Sequence, residues 1–200
     1  MRSLSKVVRR MAVATMLGLL PMAGAVAAPI FGLTASSISV PHGGLLTINV
    51  TASGLTDLYA YQFSLNFNPA LFQATIPSAT EGPFLATAGS TFFDGGTIDN
   101  VGGQIGFVFD TLLGPGPGAN GSGILDSFTF RVVGNAPAAG MFSLSDVLAL
   151  NSGLNVIAVG TQTLVVTVPE PAPIMLLLIG VGAIGWLGLR RAKARGFASA

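Results

Sequence analysis

The middle of this sequence predicts an antiparallel β-sandwich, and three observations support that fold class. Apolar and polar residues alternate with a period of two in several short windows, most plainly Tyr61, Phe63, Leu65 and Phe67 against Gln62, Ser64, Asn66 and Asn68. Clusters of glycine and proline separate those windows at the spacing of strand connections. No window holds a convincing helical period. Residues 28–168 number 141, enough for one buried core. The chain has no cysteine, which removes disulfides, thiol catalysis and thiolate metal sites.

Taken in order, the chain opens with a signal peptide over residues 1–27. Arg2, Lys6, Arg9 and Arg10 form a positive n-region, Met11 to Leu20 an apolar h-region, and Ala25-Val26-Ala27 an A-x-A cleavage site set by Ala25 and Ala27. The Arg9-Arg10 pair also permits a twin-arginine reading, which the following residues fit poorly, and an uncleaved anchor is the other alternative. Strands are expected where Leu46, Ile48 and Val50 alternate with Thr47, Asn49 and Thr51, and again along Tyr61 to Asn68. Ile105, Phe107 and Phe109 are expected to share one face, opposite Gly106, Val108 and Asp110. Phe128, Phe130 and Val132 oppose Ser127, Thr129 and Arg131, and Leu164, Val166 and Val168 oppose Thr163, Val165 and Thr167. Turns fall at Pro41-His42-Gly43-Gly44, Asp94-Gly95-Gly96 and Gly102-Gly103, and residues 114–123 read as a mobile loop within the domain. A closed barrel is the alternative architecture. A membrane β-barrel fits poorly, because the polar faces are Asn, Thr and Ser without aromatic girdles.

The C-terminus has three parts: Pro169-Glu170-Pro171, an apolar run from Ala172 to Leu189, and Arg190, Arg191, Lys193 and Arg195 within a basic tail over 190–195. The run has 18 residues. As a helix that is about 27 Å, enough to cross a bilayer core, and the bases after it are expected to stay cytoplasmic. In order and position these parts resemble the PEP-CTERM sorting signal of Gram-negative bacteria. The resemblance implies a transmembrane helix over 172–189, cutting at the motif by a membrane enzyme called an exosortase, and passage from the inner membrane to the cell surface or an exopolysaccharide matrix. An ordinary tail-anchored protein is the simpler alternative.

Charge separates along the chain. Four of the nine Lys and Arg precede residue 11 and four follow residue 189, which leaves Arg131 alone between them. Seven acids lie in the same middle: Asp57, Glu81, Asp94, Asp99, Asp110, Asp126 and Asp146. A domain with one base and seven acids has no electrostatic footprint for nucleic acid or anionic lipid.

Leu58 to Phe72, an alternating strand running into Asn68-Pro69 and an aliphatic residue, resembles the third-strand region of cohesin domains. Gly103 to Phe107 and Gly121 to Val132 fit the same pattern, so the resemblance spans roughly residues 36–168. It implies a nine-stranded, cohesin-like jelly roll over 28–168, related in fold to carbohydrate-binding modules. It also implies binding of dockerins through Asn and Asp on the outward face of that strand. Here the matching positions are Ala60 and Gln62.

Catalytic chemistry finds little support. His42 is the only histidine and reads as an exposed turn residue, and no Gly-x-Ser-x-Gly supports a serine triad. Glu81 lies in a Thr-Glu-Gly-Pro loop. Asp94 and Asp99 read as solvated turn carboxylates, with an acid pair or a Ca²⁺ site as alternatives. No cofactor and no metal ligand set is expected. The candidate binding face is Tyr59, Gln62, Ser64 and Asn66, with Tyr59 expected to face outward; of the adjacent Phe92 and Phe93, one is expected to be exposed. The expected function is non-enzymatic: an exported surface or matrix protein whose cohesin-like domain serves adhesion or scaffolding. The alternative is a carbohydrate-binding module that retains exopolysaccharide. A flat polar sheet would favour a protein partner, and a groove with an exposed Tyr59 or Phe93 would favour sugar.

Overall fold

Strand follows strand from Ile30 to Val168 in the computed structural model, which describes residues 28–135, 137–170, 177, 179–184 and 186. The order is β1 (Ile30–Ala35), β2 (Leu45–Asn66), β3 (Phe72–Glu81), α1 (Pro83–Ala86), β4 (Thr91–Asp94), β5 (Thr97–Asp99), β6 (Gln104–Leu112), β7 (Ala119–Val132), β8 (Ala138–Asn151), β9 (Gly160–Thr161) and β10 (Leu164–Val168). The signal peptide, Pro171 and the basic residues Arg190, Arg191, Lys193 and Arg195 lie outside the described residues, as does most of the expected span 172–189. Its described residues 177, 179–184 and 186 are helical and exposed. Among the described residues no helix is long and apolar enough to cross a membrane.

Two layers share β2. Its first half, from Leu45 to Ala52, pairs with β1 and β7, and its second half, from Leu58 to Asn66, pairs with β6 and β8. One layer therefore reads β9–β1–β2–β7–β3, and the other β10–β8–β2–β6 with β4 and β5 on its edge. The bend between the halves carries Gly54 and Asp57 at positive φ, where the register with β7 shifts. Ten strands stand where the resemblance implies nine. One reason is that the edge strand beside β6 is interrupted at Gly95-Gly96, so β4 and β5 run along β6 in a single register.

The alternation of β2 does what its period requires. Tyr61, Phe63, Leu65 and Phe67 are buried, as are Leu46, Ile48 and Val50, and Phe128, Phe130 and Val132 of β7 meet them. Aromatic rings close the gap between layers: Phe63 lies edge-on to Phe128 at 6.1 Å, and Phe67 to Phe130 at 5.0 Å. Phe142 of β8 likewise meets Phe130 at 5.1 Å.

β6 departs from the expected alternation. Ile105, Val108, Asp110 and Leu112 point inward, whereas Phe107 is 72 % exposed. Phe107 has φ +57°, and the register with β2 slips between Phe63 and Leu65. This is a β-bulge: one extra residue on β6 reverses which side chains face the core after it.

The expected mobile loop is also shorter than 114–123, because Ala119 to Gly123 already belong to β7. Asp57 holds the bend against this loop. Its Oδ1 accepts the Gly118 N–H at 2.6 Å, and its Oδ2 accepts the Ser152 hydroxyl at 2.7 Å. Its own N–H donates to Asn120 Oδ1 at 3.0 Å. Those donors, the Gly118 amide first, keep the Asp57 carboxyl below its ordinary pKa. Asp57→Ala is expected to open residues 113–118 to proteolysis while the rest of the fold persists, which limited digestion and mass spectrometry would read. Equal resistance in both proteins would show that the loop is held otherwise.

Candidate binding face

The bulges decide what the outer surface of the second layer presents. β2 lies centrally there, and its outward row is Ala60, Gln62, Ser64 and Asn66. On one side Leu150, Leu148, Ser145 and Ser143 of β8 stand opposite these four, and on the other Thr111, Phe109 and Gln104 of β6 face Ala60, Gln62 and Asn66. β8 also slips in register, between Gln62 and Ser64, next to Asp146 at φ +53°. The two bulges flank β2 at the same level, and they turn Phe109 and Leu148 outward.

The face is thereby divided. At one end Asn66 is fixed by its neighbours: its Nδ2 donates to Ser145 Oγ at 3.0 Å, and Gln104 Nε2 donates to its Oδ1 at 2.9 Å. At the other end Ala60, Gln62, Phe109, Thr111, Leu148 and Leu150 line a pocket of about 160 Å³. Phe92 of β4, 55 % exposed, leans on Phe109 at 5.9 Å and 45°. The pocket is open and largely apolar, with the Gln62 amide and the Thr111 hydroxyl in its wall. It can accept an apolar side chain and hydrogen-bond the groups beside it.

Of the expected face residues, Gln62, Ser64 and Asn66 share the outward row, with Ser64 largely covered by its neighbours. Tyr59 does not belong there. It has the same parity as Tyr61, so the pleat turns it inward, where its ring packs on the core and its hydroxyl donates to the Gly114 carbonyl at 2.7 Å. Phe93 also packs against the core, so the exposed aromatic of that pair is Phe92. Neither Tyr59 nor Phe93 forms a sugar platform. Phe109, Leu148 and Leu150 escaped the sequence reading, because no local pattern marks the bulges that expose them.

The inner side of the same strands holds polar groups. Tyr61 and Asp110 are a cross-strand pair of β2 and β6, and Glu81 and Asp126 a cross-strand pair of β3 and β7. The Tyr61 hydroxyl donates to Asp126 Oδ2 at 3.0 Å. Glu81 is therefore no loop residue but the end of β3, where its Oε1 accepts the Thr91 hydroxyl at 2.5 Å. Elsewhere, Asp94 Oδ1 accepts the Gly96 N–H at 2.8 Å, and Asp99 Oδ1 accepts those of Val101 and Gly102 at 2.9 and 2.8 Å. Both carboxylates close their own turns, and the two amides hold Asp99 below its ordinary pKa. Among the described residues no group of three or more His, Cys, Asp or Glu is placed to hold a metal ion. His42 is exposed in its turn, with Nδ1 3.2 Å from the Gly134 carbonyl.

Known proteins match both halves of this arrangement. The family profile of the cohesin domain matches residues 31–165, and that of the PEP-CTERM protein-sorting motif matches residues 167–192. Among solved structures, the fold is similar to a non-cellulosomal cohesin from the archaeon Archaeoglobus fulgidus, with 14 % identity and TM-score 0.56 over 74 % of this chain and 96 % of that one. It is similar to the second type II cohesin module of an adaptor scaffoldin of Acetivibrio cellulolyticus, with 15 % identity and TM-score 0.58 over 72 % and 90 %. The sixth cohesin of scaffoldin B from the same organism, solved with a Cel5 dockerin mutant, gives 12 % identity and TM-score 0.57 over 72 % and 100 %. No curated protein matches the chain in sequence.

Proposed function

Because this chain belongs to the cohesin-domain family and a PEP-CTERM sorting motif follows that domain directly, we propose that it is a non-catalytic binding module displayed outside a Gram-negative cell. In this reading residues 1–27 direct export and 28–168 form the binding domain. Pro169, Glu170 and Pro171 are the motif that an exosortase-like enzyme cuts. Residues 172–189 hold the precursor in the inner membrane, and Arg190, Arg191, Lys193 and Arg195 stop its transfer. The product then goes to the cell surface or the extracellular matrix.

The domain acts there in adhesion or scaffolding, through the outer face of β8, β2, β6 and β4. The observation that carries this reading is the pocket between Leu148 and Phe109, an apolar recess on an otherwise amide-rich sheet. Such a surface suits a protein partner that inserts one apolar side chain and is held around it by hydrogen bonds. A similar cohesin is solved with a dockerin. In this chain the two positions that match the dockerin-recognition residues are Ala60 and Gln62, neither of them a carboxylate, which favours a partner whose contact is apolar.

The test compares wild type with Pro169→Ala/Glu170→Ala/Pro171→Ala. Loss of the C-terminal span and release from the inner membrane are expected in wild type alone, read by intact mass and fractionation. An intact tail in both would sink the sorting assignment. Leu148→Asp, made in the wild-type signal background, is expected to be sorted normally and to lose its crosslinked surface partner. Unchanged crosslinking would remove this face from the reading.

A further inference from the structure

Beneath the pocket the core holds four groups that the binding face leaves unused. Tyr61 and Asp110 come from one layer, Glu81 and Asp126 from the other, and the Tyr61 hydroxyl spans the interior to Asp126. Asp126 is fully buried and Asp110 is 1 % exposed. Among the described residues no N–H or O–H donor reaches hydrogen-bond geometry with either Asp110 oxygen, although the Thr111 amide and the Glu81 carboxyl approach. Among the described residues no cation faces the cluster. α1 brings Phe84 and Leu85, β4 brings Thr91 and Phe93, and Arg131 is exposed at the far end of β7 beside the Gly43 carbonyl. Glu81 is the half-buried member at the rim.

A buried carboxylate with neither donor nor counter-charge is strongly disfavoured, and groups so placed take up a proton. Two facing carboxyls can hydrogen-bond only when one of them carries it. We propose that Glu81, Asp110 and Asp126 form a proton-loaded latch between the two layers, closed when Asp110 and Asp126 are protonated and loosened beneath the pocket when they ionise. Protonated Asp110 then donates to Glu81, which gives the orphaned carboxyl its missing partner.

Burial and the neighbouring charges act in the same direction. Burial, and then the charge of Glu81, pushes Asp110 up to about 7. Burial raises Asp126 to about 8 against the opposing Tyr61 hydrogen bond, with Asp110 and Glu81 adding to the rise. Tyr61 is raised as well, first by burial and then by Asp126. In the unfolded chain aspartate ionises near pH ~4. Between that pH and about 8 the folded domain therefore holds more protons than the unfolded chain, and its stability falls as pH rises through the window. Tyr61 and Asp110 also line the pocket, and their chain neighbours Ala60, Gln62, Phe109 and Thr111 form its walls. Charge appearing in the latch thus acts on the floor of the binding face.

The full chain in detergent tests this through its melting temperature and the ¹³C titration of its aspartate carboxyls. Tm is expected to be higher at about pH 5 than at about pH 8.5 by roughly 5 °C or more. Two buried carboxyl carbons are expected to titrate above about pH 6 and to vanish from the titration in Asp110→Asn and Asp126→Asn. Asp110→Asn should flatten the Tm profile and melt above wild type at the higher pH. A Tm that is flat or rises with pH, or carboxyls that all titrate near the unfolded value, would overturn the latch. So would stabilisation of wild type, but not of Asp110→Asn, by millimolar calcium at high pH, because the cluster would then be a cation site. Should a variant fail to fold, the wild-type carboxyl titration decides alone.

Discussion

Phe63→Ala is expected to cost about 3–5 kcal/mol, a large share of the roughly 5–15 kcal/mol that holds a domain of this size. Phe63 is fully buried in the half of β2 that belongs to the second layer. Its ring stacks on Tyr61 at 6.0 Å and 5°, and meets Phe128 of the opposite layer edge-on at 6.1 Å. Removing it deletes apolar burial and leaves a cavity where the two layers touch, among strands whose ladders prevent collapse. The urea midpoint should drop steeply with the slope unchanged. Phe92→Ala, at an exposed ring, should stay within about 1 kcal/mol. If the two variants lost similar amounts, contact between the layers would not be what closes this sandwich.

Gly103→Ala is the second large effect, expected at about 2–4 kcal/mol. Gly103 sits at φ +77° in the turn between β5 and β6, where it receives the Phe67 N–H on its carbonyl at 2.8 Å and donates to the Asp99 carbonyl at 2.9 Å. A β-carbon there would lie 2.3 Å from the Phe67 carbonyl oxygen and 2.7 Å from Pro69 Cδ. The oxygen belongs to the backbone, so relief requires the end of β2 to move. Gly114→Ala separates the two costs. It has φ +84° but nothing within 4 Å of its would-be β-carbon, so it should lose only the conformational cost of about 1–2 kcal/mol. Equal losses at both sites would mean that the turn yields freely.

The chain announced its fold through parity, and the limits of parity explain what stayed hidden. Along 46–52 and 61–65 of β2, 128–132 of β7 and 164–168 of β10 every second residue is apolar and the pleat turns those residues inward, so their faces were readable. Tyr59 was readable by the same rule, since it shares the parity of Tyr61. The bulges at Phe107 and Asp146 were not, because an extra residue exists only relative to a partner strand. They move Phe109 and Leu148 outward and Asp110 inward, and so create the pocket and bring one of the three acids into the buried cluster. Asp126 has the parity of Phe128 and Phe130 and could have been placed inside from sequence. Glu81 could not, because its role depends on pairing with Asp126 across two strands distant in sequence.

Val168, buried at the end of β10, is bonded directly to exposed Pro169. Thr167 before it is tied on both backbone atoms, its N–H to the Ile38 carbonyl at 2.9 Å and its carbonyl to the Val40 N–H at 3.1 Å. The sorting profile begins inside this strand, at residue 167. There is thus no tether between the folded body and the motif, and one residue gives only about 3.5 Å of reach. In the proposed sorting, an enzyme that works on Pro169 to Pro171 would have to take hold of the motif with the sandwich directly beside it, or after β10 has peeled from β8. In that sorting, a cut beyond the motif would leave the ladder of β10 whole, with only the motif itself following the last strand of the sandwich.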